Sequence, residues 1–140
     1  MEKINSFISK FCNLHLENVH KVGRRYYQVA PELWKEKESV DRDVYHIGTF
    51  LGEAKKEFIP SLELIDMIAK KSNKKLFVND KGEWMFQCKR DVFEENIIKK
   101  NVSKGLCLVQ NSKDENIGYG VLNRNNLKPI LDRGDFLRRE

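Results

Sequence analysis

The stretch "NIGYGVL", residues 116–122, constrains the fold more than any other part of the sequence. Its composition is that of a β-strand, yet Gly118 and Gly120 share one strand face, because successive residues point to opposite faces. Glycines on one face let another backbone approach closely, which is typical of a small barrel that curls shut. An open sheet would leave two unprotected edges, so this stretch favours a closed sheet.

A β-hairpin is predicted upstream of this strand. Two alternating apolar runs flank the turn-forming letters "NDKG": Leu76 and Val78 precede them, and Trp84, Phe86 and Cys88 follow. Aromatic side chains on such strands, Tyr119 included, are expected in the core and not as platforms on which bases stack.

Three further segments complete the predicted barrel. "GLCLVQ" (105–110) predicts a strand, "DVFEENIIKK" (91–100) a helical insert, and "DFLRRE" (135–140) the strand that closes the sheet. Short strands at this spacing indicate a compact β-barrel of about seventy residues.

The first half of the sequence predicts a mixture of helices and strands. Apolar residues recur at helical spacing from Ile4 to Phe11, and again after Ser61, which is a good N-cap. Between these helices, "NVHKVGRRYYQVA" predicts two short strands around Gly23, and "DVYHIGTFLGEAKKEFI" predicts two more. The polar run "KKSNKK" (70–75) separates the two patterned regions, so we predict one domain over 1–72 and another over 73–140.

Positive charge is concentrated in the second half. The net charge of +5 divides into +1 for residues 1–71, with 12 Lys+Arg against 11 Asp+Glu, and +4 for residues 72–140, with 14 against 10. This asymmetry is expected if the second half meets a polyanion. No segment approaches the ~18 apolar residues of a membrane helix, and the first segment does not resemble a secretory signal.

Catalytic and metal-binding patterns are not found in the sequence. The three cysteines and three histidines form neither CxxC nor HExxH spacing. GxSxG and GxxxxGK[ST] are also missing. Cys88 and Cys107 are expected as packed thiols within strands. The sequence therefore predicts no metal, no cofactor and no enzymatic activity, and a small enzyme would need a cleft with a perturbed cysteine or carboxylate beside a base.

Several segments, in order and spacing, resemble those of a known family. "KKLFVNDKGEWMFQC", followed by "KRDVFEENI", "GLCLVQ", "NIGYGV" and "DRGDFLRRE", resembles a PUA domain, an RNA-binding pseudo-barrel. With "IGTFLG" and "LIDMIA" upstream, residues 44–140 are similar to the Nip-seven type of ribosome-biogenesis factor.

The resemblance implies an α+β fold in which a small α/β pre-PUA domain precedes a PUA-type β pseudo-barrel. It also implies a non-catalytic RNA-binding protein that assists ribosomal RNA processing and large-subunit ribosome biogenesis. The implied partners are an rRNA precursor and pre-ribosomal proteins, in the cytoplasm or, in a eukaryote, in the nucleolus. The alternative is an RNA-targeting accessory module for a methyltransferase, pseudouridine synthase or transglycosylase.

Seven cations are predicted to contact RNA. They lie after the predicted hairpin, at the end of the insert, before the next strand and on the closing strand: Lys89, Arg90, Lys99, Lys100, Lys104, Arg138 and Arg139. Arg24 and Arg25 beside Tyr26 and Tyr27 are expected to form a strand rim, with RNA stacking or a protein contact as alternatives.

Two of the family's common glycines are replaced in this chain, by Lys89 and Asn96. Asparagine tolerates a left-handed backbone, but lysine there costs on the order of 1 kcal/mol relative to glycine. We expect a phosphate contact by Lys89 to offset that cost.

Overall fold

Four short strands and three helices form the first half of the chain. The computed structural model describes residues 2–40 and 48–135, with the backbone alone for residues 36–40. The elements are α1 (Glu2–Ser9), β1 (Val19–Val22), β2 (Arg25–Gln28), α2 (Pro31–Val40), β3 (Thr49–Ala54), β4 (Phe58–Pro60) and α3 (Leu62–Lys71). The strands pair antiparallel in the order β1-β2-β3-β4.

Helices α1 and α3 and the strand pairs of this half were predictable because their local signals are unambiguous. Helix α1 buries Ile4, Phe7 and Ile8, as the apolar spacing predicts. The hydroxyl of Ser61 accepts a hydrogen bond from the backbone N–H of Leu64 at 3.1 Å and so caps α3. The predicted helices at α1 and α3 and the predicted pairs of strands are confirmed.

A six-stranded sheet forms the second half. Its elements are β5 (Lys75–Val78), α4 (Asp80–Gln87), β6 (Val92–Phe93), β7 (Ile97–Lys100), β8 (Gly105–Gln110), β9 (Asn116–Asn123) and β10 (Asn126–Asp132). The strand order is β6-β10-β9-β8-β5-β7, and only the β5–β8 pair among these neighbours is parallel.

The two edge strands of this sheet are consecutive in sequence. A 3-10 turn at Glu94–Asn96 joins β6 to β7. Three residues span only about 10 Å, so the opposite edges of the sheet must come close together. The sheet therefore curls into a nearly closed barrel, as the sequence predicts.

Close backbone approach at the glycines of β9 is confirmed. A Cβ on Gly120 would lie 2.6 Å from the carbonyl oxygen of Lys128, and one on Gly118 would overlap the carbonyl oxygen of Leu131. Gly118 also has a φ of +140°, which L side chains rarely adopt. The approaching backbone belongs to β10, a strand that the sequence did not predict.

The hairpin prediction is wrong, because the residues after β5 form helix α4. The side chain of Asn79 accepts the backbone N–H of Gly82 at 2.8 Å, and Asp80 lies in the first helical turn. Turn-forming residues and an N-cap thus share one signature. Gly82 is required by packing, since a Cβ there would lie 2.8 Å from that of Val78.

The helical insert predicted over residues 91–100 is also wrong. The segment forms β6, the 3-10 turn and β7, because Val92 is buried in the barrel and Ile97 packs against the same core. Of the predicted closing strand, Asp135 lies in a helical turn at residues 133–135, and residues 136–140 fall outside the described part of the chain.

The two halves share one of the two large cores. The barrel interior is a separate cluster: Leu76, Val78, Phe86, Val92, Cys107, Val109, Ile117, Leu122 and Leu127. On the outer barrel face, Tyr119 packs with its ring centroid 5.5 Å from that of Phe7. The hydroxyl of Ser72 donates to the carbonyl of Phe11 at 2.8 Å, which ties the connection between the halves to the chain after α1. The division at residue 72 stays a prediction.

Candidate nucleic-acid interface

Lys89 lies two residues after the end of α4 with a φ of +61°, the left-handed backbone that suits the glycine usual in the family. Its ammonium group is 2.5 Å from Asp135 Oδ2 and 3.2 Å from Asp132 Oδ2. The Asp132 and Asp135 side chains are 2% and 11% exposed, whereas that of Lys89 is 51% exposed. We call these three residues the Lys89 cluster. It ties the end of α4 to the end of β10.

The environment of Lys89 changes its acid strength. Partial burial lowers its pKa, but hydrogen bonds and charge attraction from Asp135 and Asp132 outweigh burial, so the pKa is raised. The carboxylates are themselves fixed, because Asp135 Oδ2 accepts the backbone N–H of Asp132 and Asp132 Oδ1 accepts that of Asp135. The ion pairs with Asp132 and Asp135 thus offset the cost of the left-handed backbone at Lys89. The phosphate contact predicted for Lys89 stays a prediction.

Arg90 is exposed beside an aromatic ring. Its guanidinium carbon lies 5.7 Å from the ring centroid of Trp84, which is 55% exposed. The expected core position of Trp84 is therefore wrong, whereas those of Phe86 and Tyr119 are confirmed. An exposed tryptophan next to an arginine can stack on a base. The sequence signal for this face is the N-cap residue Asn79, but the same residues also suit a hairpin turn.

Lys99 and Lys100 lie on β7, and Lys104 lies in the loop that leads into β8. All three are exposed, and none makes an ion pair with any residue that the structure describes. The ammonium of Lys99 lies 5.8 Å from the ring centroid of Phe77 on the neighbouring strand. We call these three lysines the β7 edge. Their positive charge is not neutralised locally.

The remaining predicted cations give different outcomes. Arg138 and Arg139 lie outside the described residues, so their predicted RNA contacts stay predictions. Tyr26 and Tyr27 are 1% and 2% exposed and contribute to the cores, so they offer no open face for stacking. Arg133, which the sequence did not single out, donates to Asp66 Oδ1 at 3.0 Å and links the last helical turn to α3.

The cysteines differ in their surroundings. Cys107 is buried within β8, and burial raises the pKa of its thiol to about 12. Cys88 is exposed at the end of α4, so its expected strand position is wrong.

Neither a metal-ligand cluster nor a membrane-spanning helix is found among the described residues. Across residues 2–40 and 48–135, no three His, Cys, Asp or Glu side chains group together as a metal site requires. No helix in the described ranges is long and apolar enough to cross a membrane.

Comparison with known proteins identifies the barrel. Residues 74–140 match the family described as UPF0113 PUA domain. A UPF0113 protein from Aeropyrum pernix is 32% identical in an alignment of 127 residues that covers 84% of this chain and 72% of that relative. The solved structure of a conserved PUA domain protein from Thermoplasma acidophilum has a TM-score of 0.60 at 18% identity, covering 99% of this chain and 91% of that one. The predicted fold, an α/β part followed by a PUA-type pseudo-barrel, is thereby confirmed.

Proposed function

Because the chain belongs to the UPF0113 family and carries its PUA domain, we propose that it is a non-catalytic RNA-binding protein that assists ribosomal RNA processing and large-subunit ribosome biogenesis. PUA domains generally bind RNA. The finer role, that of a Nip-seven type factor acting on an rRNA precursor with pre-ribosomal proteins, rests on the resemblance of residues 44–140. We place its action in the cytoplasm, or in the nucleolus of a eukaryotic cell.

One observation carries the proposal: the β7 edge presents three lysines that no described carboxylate neutralises. Neutralising phosphates with lysines releases counterions, and this supplies affinity without requiring a defined base sequence. Arg90 beside Trp84 adds a position where a base could stack. A catalytic role is not supported by Cys107, since a buried thiol with a pKa of about 12 is a poor nucleophile at neutral pH.

Salt dependence of RNA binding tests the proposal. The affinity for a fluorescein-labelled oligoadenylate of about twelve nucleotides is measured by anisotropy over a range of KCl concentrations. Lys99→Ala/Lys100→Ala/Lys104→Ala should make the negative slope of log K against log salt shallower by about 2, since each lost contact on a single strand removes about 0.7. Arg138→Ala/Arg139→Ala is also expected to give a shallower slope.

A matched control variant removes the same three positive charges from lysines outside the β7 edge. Lys35, Lys70 and Lys113 lie on α2, on α3 and in the turn between β8 and β9. Replacing all three with alanine should leave the slope within about 0.5 of the wild type. Equal slopes for both triple variants would remove the β7 edge as the binding site.

The cellular role needs a separate experiment. Tagged protein is captured from the source organism, and the RNA and proteins that accompany it are sequenced and identified. Precursors of the large ribosomal subunit would support the biogenesis role. An RNA-modifying enzyme without those precursors would contradict it and favour the accessory-module alternative.

A further inference from the structure

A cleft opens between the two halves of the molecule. It has a volume of about 530 Å³ and lies between α1, the turn from β3 to β4, and the outer barrel face. Side chains that define it include Lys3, Ser6, Lys10, Lys56, Phe58 and Tyr119. A volume of this size lies within the range of ligand-binding pockets and admits one nucleotide.

The floor of the cleft is apolar. The Phe7 ring lies 5.3 Å from that of Phe58 and 5.5 Å from that of Tyr119, centroid to centroid. Leu106 and Ile130 extend this surface from β8 and β10, and Ile130 is 43% exposed. Phe7, Phe58 and Tyr119 are at most 9% exposed and so form a buried floor, whereas the exposed Ile130 supplies an apolar surface against which a base can pack.

The rim of the cleft carries more positive than negative charge. Lysines 3, 10 and 56 line it together with glutamates 2 and 57, and Lys55 lines the adjoining recess. The ammonium of Lys3 donates to the carbonyl of Lys55 at 2.8 Å, so it bridges α1 and the β3–β4 turn across one wall. Four lysines against two glutamates favour an anionic occupant.

The cleft is connected to the β7 edge through hydrogen-bonded contacts. The ammonium of Lys74 donates to the carbonyl of Lys10, a rim residue, at 2.9 Å. The next residue, Lys75, accepts the backbone N–H of Asn101 at 2.9 Å, directly after the end of β7. Lys74 and Lys75 therefore lie between the cleft rim and the end of β7.

From this arrangement we infer that the cleft receives one unstacked nucleotide of the same RNA chain whose phosphates contact the β7 edge. The first half of the protein would then contact part of the RNA, so the RNA path would extend beyond the barrel. The positive rim and the two lysines between it and the end of β7 favour RNA over an acidic peptide. This inference rests on the proposed function, because it extends the binding surface of the barrel.

Filling the cleft without changing charge tests the inference directly. Ser6 is exposed on α1 and lines the cleft, whereas Ser9 is exposed on the same helix and does not line it. Ser6→Trp should weaken oligoadenylate binding by about tenfold, since it occupies the space of the base. Ser9→Trp should bind like the wild type.

Removing the rim charge gives an independent measurement. Lys10→Ala/Lys56→Ala should make the negative slope of log K against log salt shallower by about 1.4, the value for two lost phosphate contacts. Lys35→Ala/Lys113→Ala removes the same charge from exposed positions outside the cleft and should leave the slope unchanged. Urea unfolding of each variant confirms that the fold is intact.

The outcomes separate this inference from the proposed function. Loss of binding in the β7-edge triple variant with wild-type behaviour in both cleft variants would overturn the inference, leave RNA binding standing and point to a protein occupant. Full binding in the β7-edge variant with weaker binding in the cleft variants would overturn the proposed site on the barrel. Reduced binding in both sets supports a continuous RNA path.

Discussion

The Lys89 cluster and the β7 edge are both lysine-containing regions of one small barrel, yet their charges are used differently. In the cluster, one ammonium faces two carboxylates, for a formal charge of −1. The β7 edge has three ammonium groups and, among the described residues, no carboxylate partner, for a formal charge of +3. A lysine that is fixed by buried acids stabilises the fold, whereas a lysine without them attracts a polyanion.

Backbone geometry distinguishes the two regions as well. Lys89 has a left-handed backbone, and its ion pair with Asp132 connects the end of α4 to the end of β10. Lys99 and Lys100 have ordinary strand geometry at a sheet edge. Lysines on an edge strand also discourage pairing with another chain. Substitution should therefore affect stability in the first region and RNA binding in the second.

The largest expected effect comes from a substitution that distorts the backbone beside Asp132, a member of the Lys89 cluster. Gly118 pairs with Asp132, and a Cβ on Gly118 would lie 2.9 Å from the Cα of Asp132 and overlap the carbonyl of Leu131. Gly118→Ala should lower the free energy of unfolding by roughly 3 kcal/mol or more, through backbone strain and the clash. Urea unfolding followed by tryptophan fluorescence measures it.

Gly105 offers the matched control at the other region. It has a φ of +99° and begins β8 next to Lys104, but a Cβ there would meet no atom within 4 Å. Gly105→Ala should cost only about 1 to 2 kcal/mol, from backbone strain alone. Equal costs at the two glycines would show that close approach of β10 is not what requires Gly118.

The next largest effect removes the ammonium group that pairs with the two aspartates. Lys89→Met keeps the length of the side chain and takes one positive charge away from two poorly exposed carboxylates. We expect a loss of about 1 to 2 kcal/mol, below the value for a fully buried pair because Lys89 is half exposed. Lys99→Met should change stability by less than about 0.5 kcal/mol. A larger loss at Lys99 than at Lys89 would reverse the comparison.

How far the sequence predicts this molecule depends on whether each signal is local. Apolar spacing in α1, the N-cap at Ser61 and the glycines of β9 each have one physical interpretation, and the structure confirms all three. The run after β5 is different, because "NDKG" suits both a hairpin turn and the start of a helix. In the folded chain the helix is capped by Asn79 and packs Gly82 closely against Val78 and Asn96, contacts that the local letters do not indicate.

The site shows the same limit. Exposed lysines on β7 were predictable, since they end a segment with no acidic residue after Glu95 until Asp114. The partners of Lys89 lie more than forty residues away, at Asp132 and Asp135, so no local pattern indicates them. Strand β10 brings them together, and its proline and charged residues weaken the alternation that would have predicted it.

A smaller effect is expected when the same single substitutions are tested for RNA binding. Lys99→Met should make the negative slope of log K against log salt shallower by about 0.7, because it removes one phosphate contact. Lys89→Met should change the slope by less than half of that, since its ammonium is already paired in the folded protein. Anisotropy with the oligoadenylate probe measures both slopes. If Lys89→Met makes the slope shallower by more than Lys99→Met does, the phosphate contact predicted for Lys89 is supported instead.

The smallest expected effect is the pH dependence of the Lys89 cluster. The folded-state pKa of Lys89 is raised, so its stabilising contribution is fully present below the unfolded value of about 10.4 and is lost as pH rises through the folded value. The difference in unfolding free energy between wild type and Lys89→Met should stay constant up to about pH 10 and shrink above it. Ionisation of Cys107 in the unfolded state also destabilises the protein in alkali, because burial raises the pKa of this thiol to about 12 in the folded state. That loss is common to both proteins and cancels in the difference, so a difference that stays constant well above pH 10 would mean that the two aspartates do not depend on the charge of Lys89.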